Sequence, residues 1–208
     1  MEYLRLLTDP VTATYIRKHT RKDGLTIDVG CGPAQYRNVV LGGYLGVDLD
    51  RDEFNSALYP GLFKDPDVLA EARSLPFRPG SFTTAVYSGV LYLLSTEKVY
   101  EAMTIAYQLL KSGGMLIIMD HSRKTDQQLQ QQYEKVASPQ NANPRSCRDW
   151  LELLSNIGFK RCDLSFKPWG RIKQGLLFLK RILPRPFYFA WIDNRQAYII
   201  ITAQKQIN

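Results

Sequence analysis

The stretch from Thr26 to Tyr36, TIDVGCGPAQY, decides the fold of this chain. The apolar run that begins at Leu25 leads directly into two glycines, Gly30 and Gly32, and a polar segment follows them. A short run of β-branched and other apolar residues predicts a buried parallel strand. Glycines directly after such a strand allow positive φ angles and let a ligand approach the backbone closely. The stretch therefore predicts a buried strand that ends in a ligand-binding turn.

The segments on either side of this stretch alternate between apolar runs and helix-compatible runs. Tyr44–Asp48 and Met115–Asp120 are predicted to be further buried strands. Ser95 caps a predicted helix that extends to about Lys111, where Ser112-Gly113-Gly114 is predicted to stop it. Strands that alternate with helices predict an α/β fold with a doubly wound, mostly parallel sheet. The last strand follows an insertion rather than an ordinary crossover helix, which leaves it able to enter the sheet antiparallel. The other predicted elements are an N-terminal helix from Asp9-Pro10, a short helix before Gly42-Gly43, strands at Asp67–Ala72 and from Thr83, a helix at Ser146–Phe159, and strands at Arg161–Phe166 and Ala197–Gln204.

The length and composition bound the class of protein. The chain has 208 residues, of which 45% are hydrophobic and 23% charged, so we expect one globular domain over residues 1–208. The N-terminal residues do not resemble a signal peptide, and no apolar run approaches the ~18 residues of a membrane span. Cys31, Cys147 and Cys162 lack the spacing of a disulfide framework or a zinc knuckle, so no metal is expected. These features predict a reduced, cytoplasmic protein.

The positive charge of the chain is concentrated near its C-terminal end. Nine basic residues stand against two aspartates between Lys160 and Arg195, a surplus that equals the formal net charge of +7. Apolar residues at helical spacing from Ile172 to Leu183 predict an amphipathic basic helix within an insertion at 168–195. Four roles are open for this helix. It covers an acceptor pocket as a lid, contacts an anionic membrane, or docks nucleic acid; the fourth role is structural, with the apolar face packed on the core and the basic face in solvent. Its leucine and phenylalanine content favours the lid or the membrane over nucleic acid.

Two carboxylates flank the predicted glycine turn. Ligands of doubly wound sheets bind beyond the carboxyl ends of the strands, where Asp28 and Asp48 both lie. Asp28 supplies a negative charge for a cationic amine, and Asp48 is able to accept hydrogen bonds from both hydroxyls of a ribose. The alternative is a tight turn without a ligand. The sequence of the turn fits a nicotinamide-dinucleotide site less well, because the third glycine of that fingerprint would fall at Gln35, which is not small.

Several stretches in order carry a more specific resemblance. TIDVGCGPAQY, YLGVDLD, EARSLPFRPGSFTTAVYSGVLYLL, AYQLLKSGGMLIIMD and WLELLSNIGFKR are similar to the successive motifs of class I S-adenosylmethionine-dependent methyltransferases of the small-molecule, type 11-like branch. The resemblance covers roughly residues 25 to 162 and the last strand. It implies a Rossmann-like sheet of seven strands with the last one antiparallel. It also implies S-adenosyl-L-methionine as cofactor and S-adenosyl-L-homocysteine as product.

The resemblance further implies which residues contact the cofactor. Three positions depart from the family pattern: Ala34 replaces a frequent third glycine, Glu71 replaces a shorter aspartate, and Thr83 replaces a common aspartate. The implied contacts are Asp28, Gly30, Cys31 and Gly32 around the methionine part, Asp48 on the ribose, Leu49 beside the adenine, Glu71 and Ala72 at the adenine amino group, and Ser88 and Gly89 near the methionine part.

Methyl transfer from a sulfonium needs little dedicated catalytic machinery, since much of the rate comes from holding donor and acceptor in line. His121, at the end of the fifth strand, is a candidate general base; the alternative is a loop histidine without a catalytic role. Tyr92 either lines the acceptor pocket or packs against the sheet. Tyr36 either closes over the ligands or packs in the core. Cys31 is interpreted as a small filler rather than a nucleophile.

These inferences predict a methyltransferase that acts on a small-molecule or lipid-like acceptor. The alternatives are an RNA or protein methyltransferase that docks through the basic insertion, or a cofactor-binding pseudoenzyme. The predicted organisation is an N-terminal helix in residues 1–24, a cofactor-binding core in 25–120, a lid in 121–145 and the basic insertion. Peripheral contact with an anionic membrane is a further expectation, whereas a nucleic-acid partner is not.

Overall fold

The structure is a computed structural model that describes residues 10–32, 34–49, 65–121, 145–168 and 197–207. Most of the predicted lid at 121–145 and of the basic insertion at 168–195 lies outside the described residues. Within the described ranges, no helix is long and apolar enough to cross a membrane.

A seven-stranded sheet forms the centre of the described structure. Its order is β3-β2-β1-β4-β5-β7-β6, with β7 antiparallel to both of its neighbours and the other pairs parallel. This confirms the predicted fold class, including the antiparallel last strand. The chain leaves β1 toward one edge and returns through β4 toward the other, so the switch point lies between β1 and β4. The strands are β1 (Leu25–Val29), β2 (Gly43–Asp48), β3 (Val68–Leu69), β4 (Phe82–Ser88), β5 (Leu110–His121), β6 (Phe159–Pro168) and β7 (Ala197–Lys205).

Three helices belong to the described ranges: α1 (Pro10–His19), α2 (Thr96–Leu109) and α3 (Cys147–Ile157). The Ser95 side chain accepts a hydrogen bond from the Lys98 N–H and caps α2, as predicted. Ser146 and Asp149 form a reciprocal capping box at the start of α3, which ends at Gly158 in the left-handed conformation. The predicted amphipathic helix before β6 is therefore confirmed.

Two apolar clusters pack against the sheet, one on each face. Ile27 and Val29 of β1 belong to the larger cluster, together with buried residues of α2 and α3. Successive side chains of a strand point to opposite faces. Asp28 consequently faces the other side, where the smaller cluster lies. The buried members of that cluster are Ile16, Tyr36, Val86, Ile117, Met119 and Ile200.

The predicted short helix after the glycine turn is wrong. Residues 34–40 form successive turns, in which the Arg37 N–H donates to the Ala34 carbonyl and the Val39 N–H to the Tyr36 carbonyl. Ala34 has a positive φ of 51°, which a right-handed helix cannot accommodate. The backbone N–H groups expected at a helix start are therefore presented by turns instead.

Two further boundaries differ from the prediction. β3 is limited to Val68–Leu69, because the chain turns immediately afterwards at residues 72–73. α2 ends at Leu109 rather than near Lys111, and β5 begins at once with Leu110. The Ser112-Gly113-Gly114 segment, predicted to stop the helix, is part of the extended strand, with Gly113 at a φ of 73°.

Candidate functional site

The glycine turn after β1 is fixed to the neighbouring strand by its backbone. The N–H groups of Gly30 and Cys31 both donate to the Val47 carbonyl, at 2.8 and 3.1 Å. Gly30 has a φ of 71°, and a Cβ placed there would lie 2.7 Å from the Val90 side chain. Only glycine satisfies both the conformation and the space at this position.

Asp48 joins the end of β2 to the same turn. Its Oδ2 accepts a hydrogen bond of 2.7 Å from the Gly32 N–H, and its Oδ1 accepts one of 2.7 Å from the Leu49 N–H. Each carboxylate oxygen keeps further acceptor capacity, so Asp48 is still able to take hydroxyl donors. The adjacent Leu49 side chain is 69% exposed and presents an apolar surface beside this carboxylate.

Asp28 lies beneath the turn and is almost completely buried, with 1% of its surface exposed. Its Oδ2 accepts a hydrogen bond of 2.6 Å from the Tyr44 hydroxyl, whereas Oδ1 has no hydrogen-bond partner among the described residues. Burial raises the pKa of this carboxyl to about 7 against the opposing effect of the Tyr44 hydrogen bond, and the Asp48 charge raises it further. A buried carboxylate oxygen without a partner is costly, so it suits a cationic donor.

Cys31 fills space in the turn, as predicted. The side chain is buried, and a Cβ on Gly46 would lie only 2.9 Å from its Sγ. Burial raises the pKa of the Cys31 thiol to about 12, with a contribution from the Asp28 charge. The thiolate that a nucleophile requires is therefore absent near neutral pH.

The end of β4 lies next to the glycine turn, because β1 and β4 pair in parallel. The Ser88 and Tyr36 hydroxyl oxygens are 3.0 Å apart, and the Gly89 N–H donates to the Met119 carbonyl at 2.8 Å. The Tyr36 ring is buried in the smaller cluster, so it packs in the core while its hydroxyl reaches the site. Gly89 has a φ of 65°, which turns the chain away from the sheet edge.

Glu71 and Ala72 follow the short β3. The Ala70 N–H donates to the Asp48 carbonyl at 2.9 Å, which keeps this segment beside the end of β2. Glu71 Oε1 forms an ion pair of 2.6 Å with Arg73, which also reaches Glu101 at 2.9 Å. The Glu71 carboxylate is therefore shared with an arginine, a contact that sequence reasoning did not anticipate.

The two candidate catalytic residues lie at the same edge of the sheet. Tyr92 is half-buried in a 3₁₀ turn, Leu91–Leu93, that follows β4. His121 is the last residue of β5 and stands opposite Tyr198 in the β5–β7 register. The pairing of β4 with β5 thus brings both residues to the carboxyl edge of the sheet.

Arg145 is a residue of this edge that sequence reasoning missed. It is 6% exposed, and its guanidinium donates to the carbonyls of Leu91 and Leu94, each at 3.3 Å. Burial lowers the pKa of Arg145, and the Asp120 charge opposes that shift. In the sequence it is an arginine beside a helix cap, which is typical of an exposed position, so nothing indicated its burial.

Comparison with known sequences finds one matching family model, over less than half of the chain. Residues 27–118 match the sequence profile of a family described as a methyltransferase domain. No curated protein matches the chain by sequence. The matched residues include the glycine turn, both carboxylates and the end of β4, and the match stops within β5.

Solved structures with the same fold are similar to most of the chain. One is a SAM-dependent methyltransferase from Methanosarcina mazei, with 17% identity, a TM-score of 0.64 and coverage of 93% of this chain and 98% of that one. A second is the geranyl diphosphate C-methyltransferase of Streptomyces coelicolor with Mg²⁺, geranyl-S-thiolodiphosphate and S-adenosyl-L-homocysteine, at 15% identity, a TM-score of 0.62 and coverage of 95% and 76%. A third is a phosphoethanolamine N-methyltransferase of Haemonchus contortus with phosphomonomethylethanolamine and S-adenosylhomocysteine, at 16% identity, a TM-score of 0.63 and coverage of 95% and 53%.

At these identities the structural likenesses show the fold, and the sequence profile shows a resemblance to a methyltransferase domain over residues 27–118. The strand order and the glycine turn agree with both. Residues 27–118 therefore match a methyltransferase domain, and the described sheet has the fold of solved S-adenosylmethionine-dependent methyltransferases.

Proposed function

We propose that this chain is an S-adenosylmethionine-dependent methyltransferase, which transfers the methyl group to a small-molecule or lipid-like acceptor. The observation that carries the proposal is the carboxyl edge of the sheet, where a site with two carboxylates lies near the half-buried Tyr92 and the buried Arg145. The neighbours with geranyl-S-thiolodiphosphate and phosphomonomethylethanolamine support the class of acceptor.

The residues of the glycine turn fit the cofactor. We assign its methionine part to Asp28, Gly30, Cys31 and Gly32, because the orphaned Asp28 Oδ1 suits its cationic amine and the glycines leave room for close approach. When bound, S-adenosylmethionine supplies an electrophilic methyl group on a sulfonium. The remaining proposed contacts are Asp48 with the ribose, Leu49, Glu71 and Ala72 with the adenine, and Ser88 and Gly89 with the methionine part.

The chemical step balances without a metal or a redox partner. The carbon–sulfur bond breaks with its electron pair on sulfur, and an acceptor oxygen or nitrogen forms the new bond to carbon. The acceptor then loses a proton, for which we propose His121 as general base, with Tyr92 lining the acceptor pocket. If the acceptor is already nucleophilic, water is able to take this proton, and the transfer then needs no histidine.

Two alternatives remain for the test. The basic residues between Lys160 and Arg195 favour an RNA or protein acceptor if this segment docks such a partner. A pseudoenzyme would bind the cofactor and transfer nothing. The discriminating experiment measures S-adenosylhomocysteine formation by purified protein with four acceptor classes: small amines and hydroxyl compounds, phospholipid vesicles, total RNA, and unmodified protein extract.

We expect product formation with the small-molecule or lipid panel and none above background with RNA or protein. An Asp48→Ala variant in the same assay controls for contaminating activity. Turnover confined to RNA or protein would overturn the acceptor class. Cofactor binding without turnover on any panel would favour the pseudoenzyme.

A further inference from the structure

A chain of polar contacts runs from Asp28 away from the ligand edge, and neither the family resemblance nor the proposed function uses it. The Tyr44 hydroxyl donates to Asp28 Oδ2 at 2.6 Å, and the Arg37 guanidinium stands 4.6 Å from the centre of the Tyr44 ring. Arg37 also donates to Asp67 Oδ2 at 2.8 Å. The same Asp67 oxygen accepts a hydrogen bond of 2.7 Å from the Gly46 N–H, which anchors the chain to β2.

The packing leaves the Tyr44 ring little freedom. A Cβ added at Gly46 would lie 3.1 Å from the Tyr44 ring and 3.2 Å from its hydroxyl oxygen. The Tyr44 ring therefore packs against Gly46, where a larger residue would displace it, and the Arg37 guanidinium lies close to the ring. Tyr44 faces Asp28 because the two residues lie on paired strands and on the same face of the sheet.

We propose that Tyr44 and Arg37 are positioning residues of the cofactor site, which hold the buried Asp28 carboxylate in its charged form with Oδ1 directed to the cofactor amine. The proposal rests on the proposed function, since it requires that Asp28 takes that amine. Tyr44 donates to one carboxylate oxygen and so leaves the other for the ligand. Arg37 adds a positive charge on the far side of the ring, and Asp67 holds Arg37 in place.

This arrangement makes cofactor affinity depend on pH. Asp28 is buried strongly enough that its pKa rises to about 7, so near neutral pH a fraction of the free protein carries a neutral carboxyl. The charged or titratable groups that face it are Tyr44 and Asp48 from β2, Arg37 from the turns after β1, and Cys31 from the glycine turn. The neutral carboxyl attracts an ammonium group less, so affinity rises as the pH rises through this range.

The test is calorimetric titration of the full chain with S-adenosyl-L-homocysteine at pH 6, 7, 8 and 9. Wild-type protein is compared with Tyr44→Phe, Arg37→Gln and, as a matched control, Tyr107→Phe, whose ring packs on Phe159 and lies outside the cofactor site. The amine of the ligand titrates identically with every variant. A difference between the pH profiles of two variants therefore comes from the protein and not from the ligand. Circular dichroism confirms that each variant is folded.

We expect Tyr44→Phe to bind about tenfold more weakly than wild type at pH 6, which corresponds to about one unit of pKa, with the difference closing by pH 9. Arg37→Gln shifts the profile in the same direction, and it serves if Tyr44→Phe does not fold. Tyr107→Phe follows the wild-type profile. A loss of affinity that is equal at every pH, or an unshifted profile, would overturn the inference alone. Wild-type protein that does not bind at any pH would overturn the proposed function first, so the two failures are distinguishable.

Discussion

At the scale of single residues, the charge of Asp28 lowers stability, and the same charge is what we propose binds the cofactor amine. The unfolded carboxyl has its ordinary pKa near 3.8, and the folded one has a pKa of about 7. Between these values the native state holds more protons than the unfolded state, so this group reduces stability progressively as the pH rises and most above pH 7. This loss of stability accompanies a charge that we propose is needed to bind the cofactor.

An Asp28→Asn substitution removes that cost. We expect the ligand-free variant to gain about 4 kcal/mol of unfolding free energy over wild type at pH 8 and little at pH 4, because a neutral amide has no charge to desolvate. Urea unfolding at pH 4, 6 and 8 measures this difference. The same variant should bind S-adenosylhomocysteine poorly. A gain in stability that is independent of pH would contradict the account of the buried charge.

Single residues also mark the limit of prediction from sequence. Asp28 and Asp48 were identified because they follow apolar runs next to glycines, which is a local pattern. Tyr44, Arg37 and Arg145 were not, since each acquires its role from a residue distant in sequence. The Tyr44 hydroxyl, for example, meets Asp28 only because β1 and β2 pair in one register.

At the scale of elements, the glycine turn requires both a positive φ angle and space beside Val90, and two glycine substitutions distinguish these requirements. Gly30 and Gly80 both have positive φ angles, of 71° and 68°. A Cβ at Gly30 would meet Val90 at 2.7 Å, whereas one at Gly80 would meet nothing within 4 Å. Both positions carry the conformational penalty of a non-glycine residue, and only Gly30 adds a steric overlap with a neighbouring element.

We therefore expect Gly80→Ala to cost about 1 kcal/mol of unfolding free energy, from backbone conformation alone. Gly30→Ala should cost about 2–4 kcal/mol and displace the loop after β4, because overpacking adds to the same backbone term. Chemical denaturation of both variants measures the two values. Equal costs would show that the contact between the turn and Val90 carries no weight.

The elements also show where sequence patterns fail. β1 and β2 were predicted to within a residue, since short apolar runs bounded by glycines and polar residues have few other interpretations. The short helix after the glycine turn was wrong, because the left-handed conformation of Ala34 depends on the hydrogen bonds of the turn rather than on its residue type. The junction of α2 and β5 was displaced, because the glycines read as a helix stop are used inside a strand.

At the scale of the whole molecule, the number of strands and their mostly parallel arrangement were predictable from the succession of motifs, whereas the strand order comes from the structure. Alternating strands and helices gave the class, and the resemblance to methyltransferases gave the antiparallel last strand. The structure confirms both. The lid and the basic insertion stay predictions, and so does the division of the chain into one domain.

The central claim is that the glycine turn and its two carboxylates bind S-adenosylmethionine. Calorimetric titration with S-adenosyl-L-homocysteine tests it most directly, with NAD as the control ligand and Asp48→Ala as the control variant. We predict micromolar binding of S-adenosylhomocysteine, no binding of NAD, and a loss of about 1.5–3 kcal/mol in the variant, the usual worth of hydrogen bonds to a charged group. Binding of NAD instead, or an affinity for S-adenosylhomocysteine unchanged by Asp48→Ala, would contradict the account.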